Sequence, residues 1–192
     1  MDVVEMHQRA GAEFVRQVGA VGAEQWGAPT PCSEWDVRAL VNHVVGEERW
    51  AVPLLAGRSI ADVGDTLDGD LLGEDPAAAA AEAASAAVGA TADAVPVVQL
   101  SYGEEDTGEY LRQLSADLLV HGWDLAVAIG ATPRMDPEVV SEVAGWFEQR
   151  EAAYRDGGAI AERVPSGPDP VARLLGAFGR DATWTAKNAQ PS

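Results

Sequence analysis

Residues 115–130 read SADLLVHGWDLAVAIG, an apolar run interrupted by two aspartates and a histidine. On a helix, Asp117, His121 and Asp124 are four and then three residues apart and project from one stripe of the surface. That stripe runs beside Leu114, Leu118, Leu125 and Ile129. Burying a lone carboxylate or imidazolium is costly, so these groups must satisfy one another, face water or hold a ligand. Thr107, Tyr110 and Leu111 continue the same spacing upstream, which predicts one long helix ending near Gly130.

Helical periodicity dominates outside this segment as well. Val3, Met6, Ala10, Phe14 and Val18 mark a first helix. Ser33, with Asp36 three residues on, resembles a capping box and opens a second helix that runs to about Ala56, with Pro53 expected to kink or end it. Residues 57–75 are acidic and contain glycine, a surface loop by composition. Asp75-Pro76 then caps an alanine-rich helix, for which a low-complexity linker is the alternative. Residues 96–106 suggest a short extended piece and a turn. Asp136-Pro137 starts a fifth helix through about Tyr154, and Asp169-Pro170 starts a short last one. The expected fold class is all-α, a four-helix bundle with additional C-terminal helices, in one domain over residues 1–192.

Composition narrows the function. The 192 residues are 47% hydrophobic and carry 31 acidic against 13 basic residues, a net charge of -18. Such a surface repels phosphate backbones and anionic lipid, so neither nucleic acid nor a membrane is an expected partner. No uncharged apolar stretch is long enough to span a bilayer, and the acidic, polar start MDVVEMHQRAGAEF lacks a signal-peptide pattern, which predicts a cytoplasmic protein. A single cysteine, Cys32, excludes internal disulfides and cysteine-rich clusters, so any metal is expected to use nitrogen and oxygen ligands.

Chemistry gathers around the histidines, of which there are three. His43 has Glu47 one turn later, and His121 has Asp117 one turn earlier. Two helices of a bundle thus each offer a histidine and a carboxylate. A His, Asp and His set leaves open positions on a divalent metal, with Asp124 or Glu47 free to hold a ligand histidine or move a proton. The same spacing also fits plain helical acid and histidine pairs, so spacing alone leaves both readings open. His7, between Glu5 and Arg9, reads as solvated. Cys32 reads either as a thiol activated by a helix start or as a small apolar residue tucked beneath it. Trp50 and Trp123 are candidates to wall a ligand cleft, with core packing as the default. Trp146, Phe147 and Phe178 could serve the core or a homodimer equally well.

The segments TPCSEWDVRALVNHVVGE at 30–47, DLLVHGWDLAVAIG at 117–130 and DPVARLLGAFGRDATW at 169–184 resemble the actinobacterial family related to the metal-binding N-terminal domain of mycothiol-dependent maleylpyruvate isomerase, within the DinB/YfiT-like superfamily. The resemblance implies a DinB-like four-helix bundle with a zinc or nickel ion held by His43, Asp117 and His121. The isomerase that names the family has glutamate where this chain has Asp117, one methylene shorter. It also carries a further C-terminal domain that this sequence is expected to lack. Maleylpyruvate isomerisation itself is therefore not expected. What remains is a metal-dependent S-transferase or isomerase in which mycothiol or a related small thiol attacks a small electrophile. The alternative is a metal-binding bundle without turnover, in a stress or interaction role.

Overall fold

A computed structural model describes residues 1–158 and 160–186; the domain expected over 1–192 ends outside them. Four long helices form the body: α1 (Val3–Val18), α2 (Val37–Leu55), α4 (Pro76–Ala90) and α5 (Thr107–Ala128). They close a ring in which α1 packs on α5 and α4, and α2 packs on α4 and α5. A one-turn helix α3 (Ile60–Val63) interrupts the acidic loop after α2. Three further helices follow the ring: α6 (Pro137–Glu148), α7 (Glu151–Asp156) and α8 (Pro170–Ala177). The all-α reading holds, since the sheet among the described residues is one antiparallel hairpin, β1 (Val97–Leu100) with β2 (Gly103–Asp106).

Aspartate caps start six of these helices. Asp2, Asp36, Asp75, Asp106, Asp136 and Asp169 each accept from backbone N–H groups of the first turn, satisfying donors that a helix start leaves free. Pro76, Pro137 and Pro170 occupy the first helical position, where the missing N–H costs nothing. The cap of α2 is Asp36 and not Ser33: its carboxylate accepts from Ala39 N at 2.8 Å. Ser33 lies instead in a turn knitted by Thr30, whose hydroxyl accepts from Cys32 N and donates toward the Trp35 carbonyl oxygen. Pro53 falls in the last turn of α2, which ends two residues later.

The alanine run is a helix. Ala79, Ala80, Ala83 and Ala87 are its buried face, and their small side chains let α4 lie close against α1 and α2. By contrast, α5 is buried nearly all round, from Tyr110 to Ala128. Ring helices cover one side of it, and α6 packs on another. That double coverage explains why the run around His121 is so apolar.

The helix expected over 137–154 is broken at Gln149 and Arg150. Arg150 bonds both carboxylate oxygens of Glu109 on α5 and donates to the Trp146 carbonyl. In a straight helix Tyr154 would lie about 10 Å along the axis from Phe147. The break returns its ring to 6.0 Å from Trp146 and 5.7 Å from Phe147. Phe178 stacks on Phe147 at 4.0 Å. The rings considered for a dimer thus pack on one another within the chain.

Candidate metal centre

His43 projects from α2, and Asp117 and His121 project from α5, into the same space between the two helices. His43 Nε2 lies 3.1 Å from Asp117 Oδ2, and His121 Nε2 lies 3.4 Å from Asp117 Oδ1. One donor atom from each residue falls within 4.8 Å of the other two. Bonds of about 2.0 to 2.2 Å to one ion put its ligand atoms roughly 3 to 4 Å apart, so these residues fit a divalent metal without rearrangement of the helices. Three protein ligands leave a position open for a further molecule.

The other nitrogen of His121 is spoken for. Nδ1 lies 3.0 Å from Asp124 Oδ2, and because a carboxylate only accepts, the Nδ1 proton points at it. This leaves Nε2 facing His43 and Asp117, the arrangement in which an outer carboxylate orients a ligand histidine. Asp124 is fully buried. Burial opposes its charge, but the bonds from His121 and Arg180 hold its carboxyl below the usual carboxylate range. Asp124 is thus enclosed by His121, Arg180 and Cys32 and does not border the cavity, a placement that suits orienting His121 better than moving a proton.

Electrostatics within the trio follow from the same geometry. Burial works against charge at Asp117, yet the two imidazoles outweigh it and hold the carboxyl well below its ordinary value. Burial likewise opposes a charged His121, but Asp117 on one side and Asp124 on the other raise its pKa well above that of an ordinary histidine.

A second trio, Cys32, His121 and Asp124, also has metal-ligand spacing. Here the Arg180 guanidinium already occupies the cation's place, with Nη2 donating to Cys32 Sγ at 2.8 Å and to Asp124 Oδ2 at 2.9 Å. A fixed positive charge disfavours a metal cation at this position. Of the two trios, His43, Asp117 and His121 fit better. Cys32 sits four residues before the cap of α2, not at the helix start, so its surroundings come from α5 and Arg180.

A cavity of about 290 Å³ opens beside the three candidate ligands. Glu47 lines it together with His43, Asp117 and His121, while Trp146, Tyr154, Ile160 and Phe178 supply much of the facing wall. Burial and then the nearby Asp117 charge push the Glu47 carboxyl above its ordinary value.

Trp50 and Trp123 pack with apolar neighbours, the default expected for them. Trp50 lies two turns, about 10 Å, beyond His43 on α2 and packs against a separate apolar cluster with Leu54 and Leu111. Trp123 follows His121 by two residues, about 200° around the helix, and is buried facing Arg9 and Pro133. Neither borders the cavity. The aromatic beside the ligands is Trp35, in the loop before α2 and not on the helix. Its ring lies 4.6 Å from His43 and 5.6 Å from His121. His7 is also corrected: it is fully buried and its Nε2 is 2.9 Å from Glu48 Oε1. It shares the stripe of Gly11, Phe14 and Val18, a spacing that outweighs its charged sequence neighbours.

Residues 7–126 match the family model described as mycothiol maleylpyruvate isomerase N-terminal domain. The chain belongs to this family. Two uncharacterized proteins from two strains of Mycobacterium tuberculosis are each 36% identical to it over 146 residues, 74% of this chain and 75% of each relative. No solved structure matches. Membership accords with the DinB-like bundle, and the matched residues include all three candidate ligands. No helix among the described residues is long and apolar enough to cross a membrane.

Proposed function

We propose that this protein is a divalent-metal-dependent S-transferase or isomerase that joins mycothiol, or a related low-molecular-weight thiol, to a small electrophile. The observation that carries this reading is the placement of three metal-fitting side chains on the wall of a cavity. The family's link to mycothiol supports the thiol class. His43, Asp117 and His121 would hold zinc or nickel, which supplies the Lewis acidity that turns a thiol into a thiolate near neutral pH.

The chain's own residues account for the rest. Asp124 keeps His121 Nε2 directed at the site. Glu47, half-buried on the cavity wall with a raised pKa, accepts the proton released by the thiol, a role suited to a carboxylate tuned toward neutrality. Trp35 limits movement of both imidazoles by packing on them. The facing wall of Trp146, Tyr154 and Phe178 presents apolar surface to the electrophile. A cavity near 300 Å³ is at the small end of ligand sites, which suits a thiol arm and a compact electrophile.

Elemental analysis of the purified protein, followed by calorimetric titration with mycothiol, tests the proposal. About one zinc or nickel per chain is expected. It should be lost together in His43→Ala, Asp117→Ala and His121→Ala, and thiol binding should require the metal. A protein that takes up no metal refutes the site, while a metal-loaded protein that ignores thiols refutes the reaction and leaves a binding bundle.

A further inference from the structure

Arg180 lies outside the family-matched residues 7–126, yet it lines the cavity beside the candidate metal centre and bonds the carboxylate that holds His121. Its Nε bonds Asp124 Oδ1 at 3.0 Å and Oδ2 at 3.1 Å, and its Nη2 bonds Oδ2 at 2.9 Å. Nη2 also donates to Cys32 Sγ at 2.8 Å, and Nη1 donates to the Phe178 carbonyl at 3.0 Å. The planar guanidinium therefore fixes the rotation of a carboxylate that is itself fully buried.

The backbone explains how Arg180 comes to point there. After α8, the Gly179 N–H bonds the Gly176 carbonyl and the Arg180 N–H bonds the Leu175 carbonyl, the paired bonds of a Schellman ending. Gly179 supplies the positive φ, +76°, that this ending needs. A Cβ at Gly179 would lie 2.7 Å from Ala161 Cβ, so only glycine turns the chain inward at this point.

We propose that Arg180 is a positioning residue for the metal centre. Through Asp124 it holds His121 in the orientation that presents Nε2 to the ion. Through Cys32 it ties down the loop carrying Trp35, which packs on His43 and His121. This inference rests on the metal reading above and extends it to a residue that touches no metal ligand directly.

The test strips the full-length chain of metal and titrates it with Zn²⁺ against a chromophoric chelator at 25 °C. The parent is compared with Arg180→Ala and Arg180→Lys, and Co²⁺ absorption spectra report the ligand geometry. Groups that orient metal ligands typically contribute tenfold to a hundredfold in affinity. Arg180→Ala should weaken Zn²⁺ binding by that range and alter the Co²⁺ spectrum. Arg180→Lys keeps the charge but loses the fork, and should recover part of the affinity. A merely structural Arg180 would lower the melting temperature while leaving both readouts unchanged in the folded protein, and that result overturns the proposal. If Arg180→Ala fails to fold, the lysine variant decides: weakening of threefold or more supports the proposal, and parental affinity refutes it. A parent that binds no Zn²⁺, Ni²⁺ or Co²⁺ removes the metal reading and this inference with it. Equal binding by parent and variants removes this inference alone.

Discussion

Replacing Asp124 by Ala removes the acceptor shared by His121, Arg180 and Cys32 in one step. The Asp124 side chain is 0% exposed and Arg180 is 15% exposed, so the substitution leaves a mostly buried guanidinium without its counter-ion. Breaking one side of a buried pair costs about 3 to 5 kcal/mol. Arg180 retains its bond to the Phe178 carbonyl and has limited access to water, which places the expectation near 3 kcal/mol. For a chain of this size each kcal/mol moves the melting temperature by about 2 to 4 °C, giving a drop of about 6 to 12 °C in metal-free protein. Calorimetry in the presence of a chelator measures it. Removing both partners, in Asp124→Ala with Arg180→Ala, should cost less than the sum of the single losses, because neither charge is then stranded. A loss below about 1 kcal/mol in Asp124→Ala, or strict additivity in the double variant, would show that the pair does not hold this region together.

Two further outcomes follow from charge and from backbone. Because the folded pKa of His121 is raised well above its ordinary value, its contribution to metal-free stability is full below about pH 6.5. That contribution is lost as pH rises through the folded pKa. The metal-free melting temperature should therefore decline on the alkaline side, while Zn²⁺ affinity climbs over the same interval as the competing proton leaves. A His121→Gln variant whose melting profile matches the parent across this interval would contradict the assignment. Gly179→Ala should destabilise the protein by at least about 1 to 2 kcal/mol, the usual cost of a left-handed backbone for a residue with a Cβ, and the contact with Ala161 adds to it. Chemical denaturation measures this change, and a stability equal to the parent's would exclude the positive φ.

Much of this architecture was legible in the chain. The Asp-Pro pairs at 75–76, 136–137 and 169–170 located three helix starts, because caps are local chemistry, and apolar spacing marked the other long helices. The spacing of Asp117 and His121 brought both onto one face of α5, and His43, with a carboxylate of its own one turn away on a second helix, was their companion both by residue type and by the family resemblance. What escaped was set by a competing local turn in one case and by long-range packing in the others. Ser33 had the right residue type for a cap, but Thr30 drew that segment into a turn. His7 reads as solvated because Glu5 and Arg9 lie two residues to either side, while its partner Glu48 lies 41 residues away. Trp50 shares a face with His43, but reading by face ignores the rise along the helix. Arg180 had only its place in the G-R-D ending of the last segment to suggest a role. Its partner Asp124 is 56 residues earlier, a separation over which no local pattern operates.

The cavity has two walls of different origin. His43, Glu47, Asp117 and His121 stand on α2 and α5, inside the stretch common to the family, whereas Trp146, Tyr154, Ile160 and Phe178 come from the later segment. The candidate ligands and most of the aromatic wall are therefore carried on separate lengths of chain, and Arg180 alone of the later residues named above also bonds the carboxylate behind His121. A relative that keeps the four-helix ring and an arginine at the place of Arg180 can reshape the apolar side of this cavity by redrawing the rest of its last fifty residues or so, without disturbing α2 and α5.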